Sequence, residues 1–580
     1  MTPQEFIEKL LSILDSSERL AFMQEQIPLF TEPELDKITE GLKEKVVLCL
    51  KGNTLEAIEV GDLLLQFSAL TKNDLHRAIG LRAKAQALML GKGDIKGALI
   101  LYEEAISLHQ THHDALGEAL VYLTSIWALV SLGRADEAVL RGEWALNVLR
   151  QQGRLRDVAT LYNNLALVHN HVGRYSQAFA MLNEASQIYL QLGDEGKFDL
   201  PLLEGNRALT LSYMGRFEAA IETGEKAVEL AERLGQTTVK ARNLHNLGIA
   251  YLVQGQYNRA LQLYSAAHQM HSAKEQRHEA ALCELSTVEC LLLLRRLNEA
   301  LDKAQTIIPI FQEKGMNLEE ALTRLYQAYA LKDLGQLDRA VQTLQEARAL
   351  YQRNAWNAHT ATCDLGIAQL LFKQGHWHQA LEVARQCVQI FGEFENDRMQ
   401  GLLLVAEINL QLENYAETEQ ILQNVIAISE GCHWRWLVYQ GLYLLGRLAW
   451  AQANHAQALE NLEKAILVVE RLRGNIMMEF RASFLEDKQK VYESMIELCW
   501  EMGQEQKALH YVERSKSRAL LELLAYRPDL SVRALDDSDQ GTVETIHHLR
   551  GLREERIRFG INLVSEGTSE KQTQSILVQQ

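Results

Sequence analysis

Three asparagines, Asn164, Asn206 and Asn246, fall at the same place in three successive stretches of an otherwise apolar pattern. A primary amide donates and accepts at once, so a row of them can clasp the backbone of an extended peptide whatever its side chains are. Tyr162, Asn163, Arg207, Asn243 and His245 stand beside the row and would supply side-chain selectivity. A structural use competes with this reading, in which each amide only bonds a neighbouring helix or a water. Covalent chemistry has less to build on. A thiol nucleophile needs a histidine beside it, yet the seven cysteines (49, 283, 290, 363, 387, 432 and 499) lie in helical patterns among core-type neighbours. Buried small hydrophobes behave in this way. The histidine groups His112-His113, His169/His171 and His376/His378 are adjacent or alternate, so on a helix their rings point to different faces. His268 and His271 share a face, with His278 further on, but a structural metal wants about four ligands. Neither a Walker loop nor a dinucleotide fingerprint occurs. No catalytic, metal or cofactor residue is assigned, and no cofactor is expected.

The elements that position the asparagine row are helices returning at a fixed interval. Small residues mark the interval: Ala57, Ala98, Ala138, Ala178, Ala220, Ala260, Ala300, Ala340, Ala380, Thr418, Ala458 and Ala508. Their steps are 41, 40, 40, 42, 40, 40, 40, 40, 38, 40 and 50. Five residues earlier stands glycine in nine of the twelve copies, the residue that tolerates the left-handed conformation ending a helix. Two residues after it comes a large wedge, as in Tyr175, Phe217, Tyr257 and Trp377. Further small slots lie seven residues after the marker (Ala105, Ala145, Ala185) and twelve before it (Ala166, Ala208, Gly248), where paired helices must approach to roughly 8–10 Å. Gly153, Gly193, Gly235 and Gly315 read as caps of the second helix of each pair.

Small, aromatic, small and small at these offsets in a helix-turn-helix unit resembles the tetratricopeptide repeat, over roughly residues 40–525. The family's period is about 34 residues and the present one is near 40, so the extra residues are assigned to longer helices. The resemblance implies an all-α, right-handed α-solenoid. Its concave face would take a protein or peptide segment, and the asparagine row sits in the slot that faces it.

Bulk properties agree with such an array. Hydrophobic residues make up 47% and prolines number only six in 580 residues. A solenoid of this length needs no division into globular domains, because each unit buries its apolar face against its neighbours. The net charge of −17 argues against a generic nucleic-acid backbone binder, so no direct nucleic-acid partner is expected. Nothing at the start reads as a secretory leader, and no apolar run reaches the membrane-spanning length of about 18 residues. Unpaired cysteines fit reduced thiols in a cytoplasmic protein.

In chain order, residues 1–50 read as a helical cap, with Pro28 and Pro33 bracketing a turn, and 51–470 as the array. Pro201 suits a helix start, whereas Pro309 should kink or shorten its helix and make the superhelix irregular near 295–316. His433-Trp434-Arg435-Trp436 opens a helix and reads as buried against the adjacent unit. Residues 471–526 form a terminal repeat with a long first helix over Asn475–Met502. Residues 527–580 read as an Asp-rich linker, a possible helix over Ile546–Leu563 and a disordered tail.

The run from Phe484-Leu485-Glu486-Asp487-Lys488 through Val491-Tyr492-Glu493 to Lys507–Ala525 resembles the repeats that precede a caspase-like protease domain in the CHAT family. That resemblance implies the sensing part of a protease system, with a CHAT-type protease domain as partner in cis or in trans. Too few residues follow Ala525 for an α/β domain, so the expected function is non-enzymatic binding. Two other readings stay open: a regulated cysteine protease whose catalytic domain lies beyond residue 580, and a signal-transducing regulator lacking its output domain.

Overall fold

The computed structural model describes residues 1–50, 54–392, 394–474 and 488–526. Every element among them is helical. Two compact units divide the chain, Met1–Ser515 and Lys516–Gln580. Of the second unit, the described part is the end of the helix Glu505–Tyr526.

The first unit is an α-solenoid of helical hairpins. From Ala115 onward most helices have 17 residues, as in Ala135–Gln151, Leu155–His171 and Phe217–Arg233. Three-residue turns join them, and this alternation produces the period near 40. Departures from the period have local causes. The step of 42 accommodates the four-residue helix Asp194–Lys197 before Leu200–Tyr213, and the step of 38 follows the 15-residue helix Trp377–Phe391. Pro201 occupies the first turn of its helix, as expected. Pro309 does not shorten Leu297–Glu313, which keeps 17 residues, correcting that expectation. The long helix expected over Asn475–Met502 lies partly outside the described residues, and its described portion is Gln489–Glu501. The linker, helix and tail expected over 527–580 lie wholly outside them.

The marker glycines end helices by the backbone route expected of them. At Gly173 φ is +80°, the Gly173 N–H bonds Asn170 O (3.2 Å), and the Arg174 N–H reaches back to His169 O (2.8 Å). The wedge residues Tyr175, Phe217, Tyr257, Leu297, Leu337, Trp377 and Tyr415 each begin the second helix of their hairpin. Marker and flanking small residues are buried throughout, including Ala178, Ala185 and Ala166. At Gly248 a Cβ would come within 2.5 Å of the Tyr264 ring. These contacts set the helix spacing, so a larger residue in any slot pushes two backbones apart.

At the N-terminal end, Pro3–Ser12, Ser16–Gln26 and Glu32–Cys49 fold Phe6, Leu10, Met23, Ile38 and Leu42 into a core shared with the first hairpin. Capping boxes Thr2/Glu5 and Thr31/Glu34 fix where two of these helices start.

A second order of structure appears about five and a half repeats along the chain. Trp356 Nε1 donates to Val130 O (3.3 Å), 226 residues away. The rings of His171 and His359 stack at 5.4 Å, and Phe217 lies 6.4 Å from His433. The ribbon therefore winds back on itself: turns that join the helices of one hairpin early in the chain meet turns that join successive hairpins later. The line where they meet is called the seam below.

Candidate functional site

The first helix of each hairpin carries polar groups that are neither fully exposed nor fully buried. From Arg207 to Arg447 the series includes His245, Glu289, Tyr329, Lys332, Gln369 and Glu407. These groups lie within protein while retaining some access to water. Burial holds the His245 imidazole down to about 4, pushes the Glu289 carboxyl up to about 6 and lowers the Lys332 ammonium to about 8. Partial access combined with strong desolvation is what the inner face of a wound ribbon imposes. At neutral pH this face presents a neutral imidazole at His245 and a carboxylate at Glu289.

Neighbouring repeats are tied along this face by a ladder of side-chain bonds. His245 Nε2 and Ser286 Oγ lie 2.8 Å apart, the Lys332 ammonium donates to Gln369 Oε1 (2.5 Å), and Asn170 donates to Thr210 Oγ1 (2.8 Å). The Tyr326 hydroxyl donates to Glu289. Each rung joins a helix to its counterpart one repeat along.

The asparagine row belongs to the same ladder. Asn164 Nδ2 donates to Leu123 O (3.2 Å), Asn206 Nδ2 to Asn163 Oδ1 (2.9 Å), and Asn246 Nδ2 to Gly205 O (3.2 Å). Asn206 and Asn246 are buried, whereas Asn164 is half-buried. Asn243 is fully buried, donates to Pro201 O (2.9 Å) and Ala227 O (3.1 Å), and leaves its own Oδ1 without a partner. Tyr162 is buried and takes a hydrogen bond and a ring contact at 5.2 Å from Arg150. Arg207 pairs with Glu204 at 3.2 Å and stays part-exposed, while His245 packs 5.5 Å from the Tyr264 ring. The eight residues thus lie on two adjacent hairpins and the start of a third, as their spacing requires. In this structure the amide N–H groups of the row serve repeat-to-repeat bonding, and Arg207, His245 and Asn163 remain the more accessible members.

Sequence reasoning missed Glu289, Lys332, Glu407 and Asp397, although the slot eleven before the marker is polar in the successive copies Glu289, Tyr329, Gln369, Glu407 and Arg447. It also missed the seam, although a signal for it exists. The hairpin turns facing the seam hold glycine at 93, 133, 215 and 255, whereas three of the six later copies are Arg295, Glu413 and Ala453.

The cysteines offer no nucleophile. Six of the seven are buried, and burial pushes the Cys283, Cys363 and Cys387 thiols up to about 12. A thiol held there is protonated at neutral pH. Trp434 is buried as expected, whereas Trp436 is half-buried and lies tilted 5.2 Å from the Tyr439 ring of its own helix.

Among the described residues the fold is an α-solenoid of helical hairpins. A tetratricopeptide-repeat family profile matches residues 157–233, two hairpins that include Asn163, Asn164, Asn206 and Arg207, so the expected repeat is present there. No curated protein matches the chain. Among solved structures, the chain is similar to a Rap protein complexed with competence and sporulation factor (16% identity, TM-score 0.46, covering 62% of this chain and 99% of that one). It is also similar to the Cut9–Hcn1 hetero-tetramer of the APC/C (13%, 0.42, 87% and 92%). A third likeness is to a human IFIT1 dimer with m7Gppp-AAAA (15%, 0.40, 70% and 90%). No described helix is long and apolar enough to cross a membrane.

Proposed function

We propose that the chain is a non-enzymatic scaffold whose inner face holds a segment of another protein or a peptide. The observation that carries this reading is the half-buried polar series from Arg207 to Arg447, which a passing polypeptide could meet with its own backbone and side chains. Buried polar groups gain most from a partner that completes their hydrogen bonds. The asparagine row contributes chiefly by holding four successive hairpins in register, so that Asn163, Arg207 and His245 present a fixed set of donors and acceptors.

A random peptide library displayed on phage, panned against the protein, tests the idea. Enriched peptides should bind an Arg207→Ala/His245→Ala/Lys332→Ala variant at least ~10-fold more weakly, since two or three lost polar contacts are worth over ~1.4 kcal/mol. Binding to a Glu222→Ala variant, altered on the exposed outer helix, should be unchanged. Failure to enrich any peptide, or equal binding to both variants, would reject the inner face as the binding surface.

The run Phe484–Ala525 favours a narrower reading in which the array is the regulatory part of a CHAT-type, caspase-like protease system. Co-expression with such a protease tests it. Protease activity that is the same with and without the array would rule that pairing out.

A further inference from the structure

We infer that the seam is a releasable closure, and that the superhelix opens along it while every hairpin stays folded. The inference goes beyond the scaffold reading and does not depend on it.

The contacts across the seam differ in kind from those along the ribbon. Every appreciable helix-to-helix packing among the described residues joins helices of the same or adjoining hairpins. Where residues 93–171 meet 314–394, the contacts come from turns and a few rings, whereas further along Phe217, Leu252 and Leu294 share buried apolar clusters with residues between Met399 and Leu472. A Cβ placed on Gly93 or Gly215 would overlap the carbonyl oxygens of Lys314 and Cys432 respectively, and on Gly133 it would lie 2.6 Å from Asn354 O. At Gly255 it would meet Leu472 Cδ2 at 3.2 Å. At Gly93, Gly133 and Gly215 backbone thus approaches backbone, and at Gly255 a helix side chain does. Trp356 bonds Val130 O, and Trp127, His171, His359 and Phe394 form a chain of ring contacts between 5.4 and 6.2 Å.

The seam is also imperfectly filled. A cavity of about 380 Å³ lies within it, lined by Trp127, His171, Glu319 and Trp356 among others. In a solenoid, stability accumulates from nearest-neighbour interfaces, and none of these is broken when the turns part. At the end near Gly93, Gly133 and Trp356 no buried apolar cluster among the described residues crosses the seam, so parting begins there at a cost below that of unfolding a hairpin. Parting gives a macromolecule sideways access to the inner face, which the closed winding restricts.

The marker glycines provide both the test and its control. A Gly133→Ala/Gly215→Ala variant adds left-handed strain and also forces the turns apart. A Gly335→Ala/Gly375→Ala variant adds the same strain at two hairpin turns where nothing stands within 4 Å of the new Cβ. Far-UV circular dichroism and small-angle X-ray scattering are measured for both and for the parent. The expected result is parent-like helix content in both variants, with an increased radius of gyration and maximum dimension in the seam variant alone. An unchanged radius of gyration in the seam variant overturns the inference. So does loss of helix in the seam variant while the control keeps it, because the two turns would then form one cooperative body.

Should both pairs lose helix, Trp356→Phe decides the matter by hydrogen exchange. Deleting that one donor should speed exchange in residues 127–133 and 354–359 and leave the remaining hairpins at parent rates. A uniform acceleration, or none, counts against a separable seam.

Discussion

The two halves of the winding use the same turn differently. In the earlier half, the turn inside each hairpin is glycine at 93, 133, 173, 215 and 255, and Gly93, Gly133, Gly215 and Gly255 face backbone or side chain from later in the chain. In the later half, the same position is Arg295, Gly335, Gly375, Glu413, Ala453 and Gly503, all at positive φ. Where nothing approaches, as at Gly335, Gly375 and Gly503, glycine supplies only the left-handed conformation. Other residues adopt that conformation at a cost of roughly 1–2 kcal/mol. The earlier half must satisfy conformation and close approach together, which only glycine does. One position in a repeat can therefore be constrained twice or once, according to what the superhelix brings against it.

The largest expected effect breaks this contrast directly. Gly215→Val should destabilise by about 3 kcal/mol or more, because strain at φ +73° is added to an overlap with Cys432 O. Gly375→Val, at φ +84° with open space around it, should cost only the strain. Thermal melts of the two variants check the difference, and equal losses would show that approach across the seam has no energetic weight.

Charge sharpens the comparison next. Asp397 lies near the start of the helix Glu395–Gln411, and its field reaches Tyr175 in the earlier half. Burial pushes its carboxyl up from 3.8 to about 6. A carboxyl raised in the folded state favours folding fully below its unfolded value, and that contribution is lost as pH rises through the folded value. Asp397→Asn should therefore match the parent near pH 4, gain on it between pH 4 and 6, and stay ahead above that. The gain has an upper bound near ~3 kcal/mol. Melting temperatures from pH 4 to 8 read it out, and a gap that widens toward acid would contradict the assignment.

A smaller effect concerns the asparagine row. Asn246→Ala removes a buried donor to Gly205 O and should cost ~1 kcal/mol. Asn164→Ala, half-buried on the preceding rung, should cost less. If both variants melt like the parent, the amides do not hold the repeats together.

How much of this was legible beforehand follows from what repeats. The marker alanines, wedge residues and capping glycines recur, so the hairpins and their boundaries could be read from spacing alone. The asparagine row recurs three times and could be placed on one face of the first helices. Its amide N–H groups turned toward the preceding repeat because a bond 41 residues back depends on how neighbouring helices pack, which spacing does not encode. Lys332 and Asp397 each occur once at their slots, Glu289 returns as Glu407 three repeats on, and their desolvation depends on how the repeats pack. The seam was written in the loss of glycine at Arg295, Glu413 and Ala453, but its meaning required knowing which turns have neighbours.

The smallest effect isolates the single constraint. Ala453 holds φ +59° in the turn between Arg435–Ala451 and His455–Gly474. Alanine there bears the left-handed strain, and glycine removes it while adding freedom to the unfolded chain, so the two terms oppose each other. Strain is the larger, and Ala453→Gly should stabilise by ~0.5–1 kcal/mol. Arg295→Gly provides the comparison, because Arg295 also pairs with Asp333 on the first helix of the next hairpin, and that loss offsets the relief. A gain at 453 with none at 295 would separate the conformational requirement of the turn from the contacts its side chain makes. Chemical denaturation at constant slope measures both, and a loss at 453 would mean that the later turns are constrained by more than their own backbone.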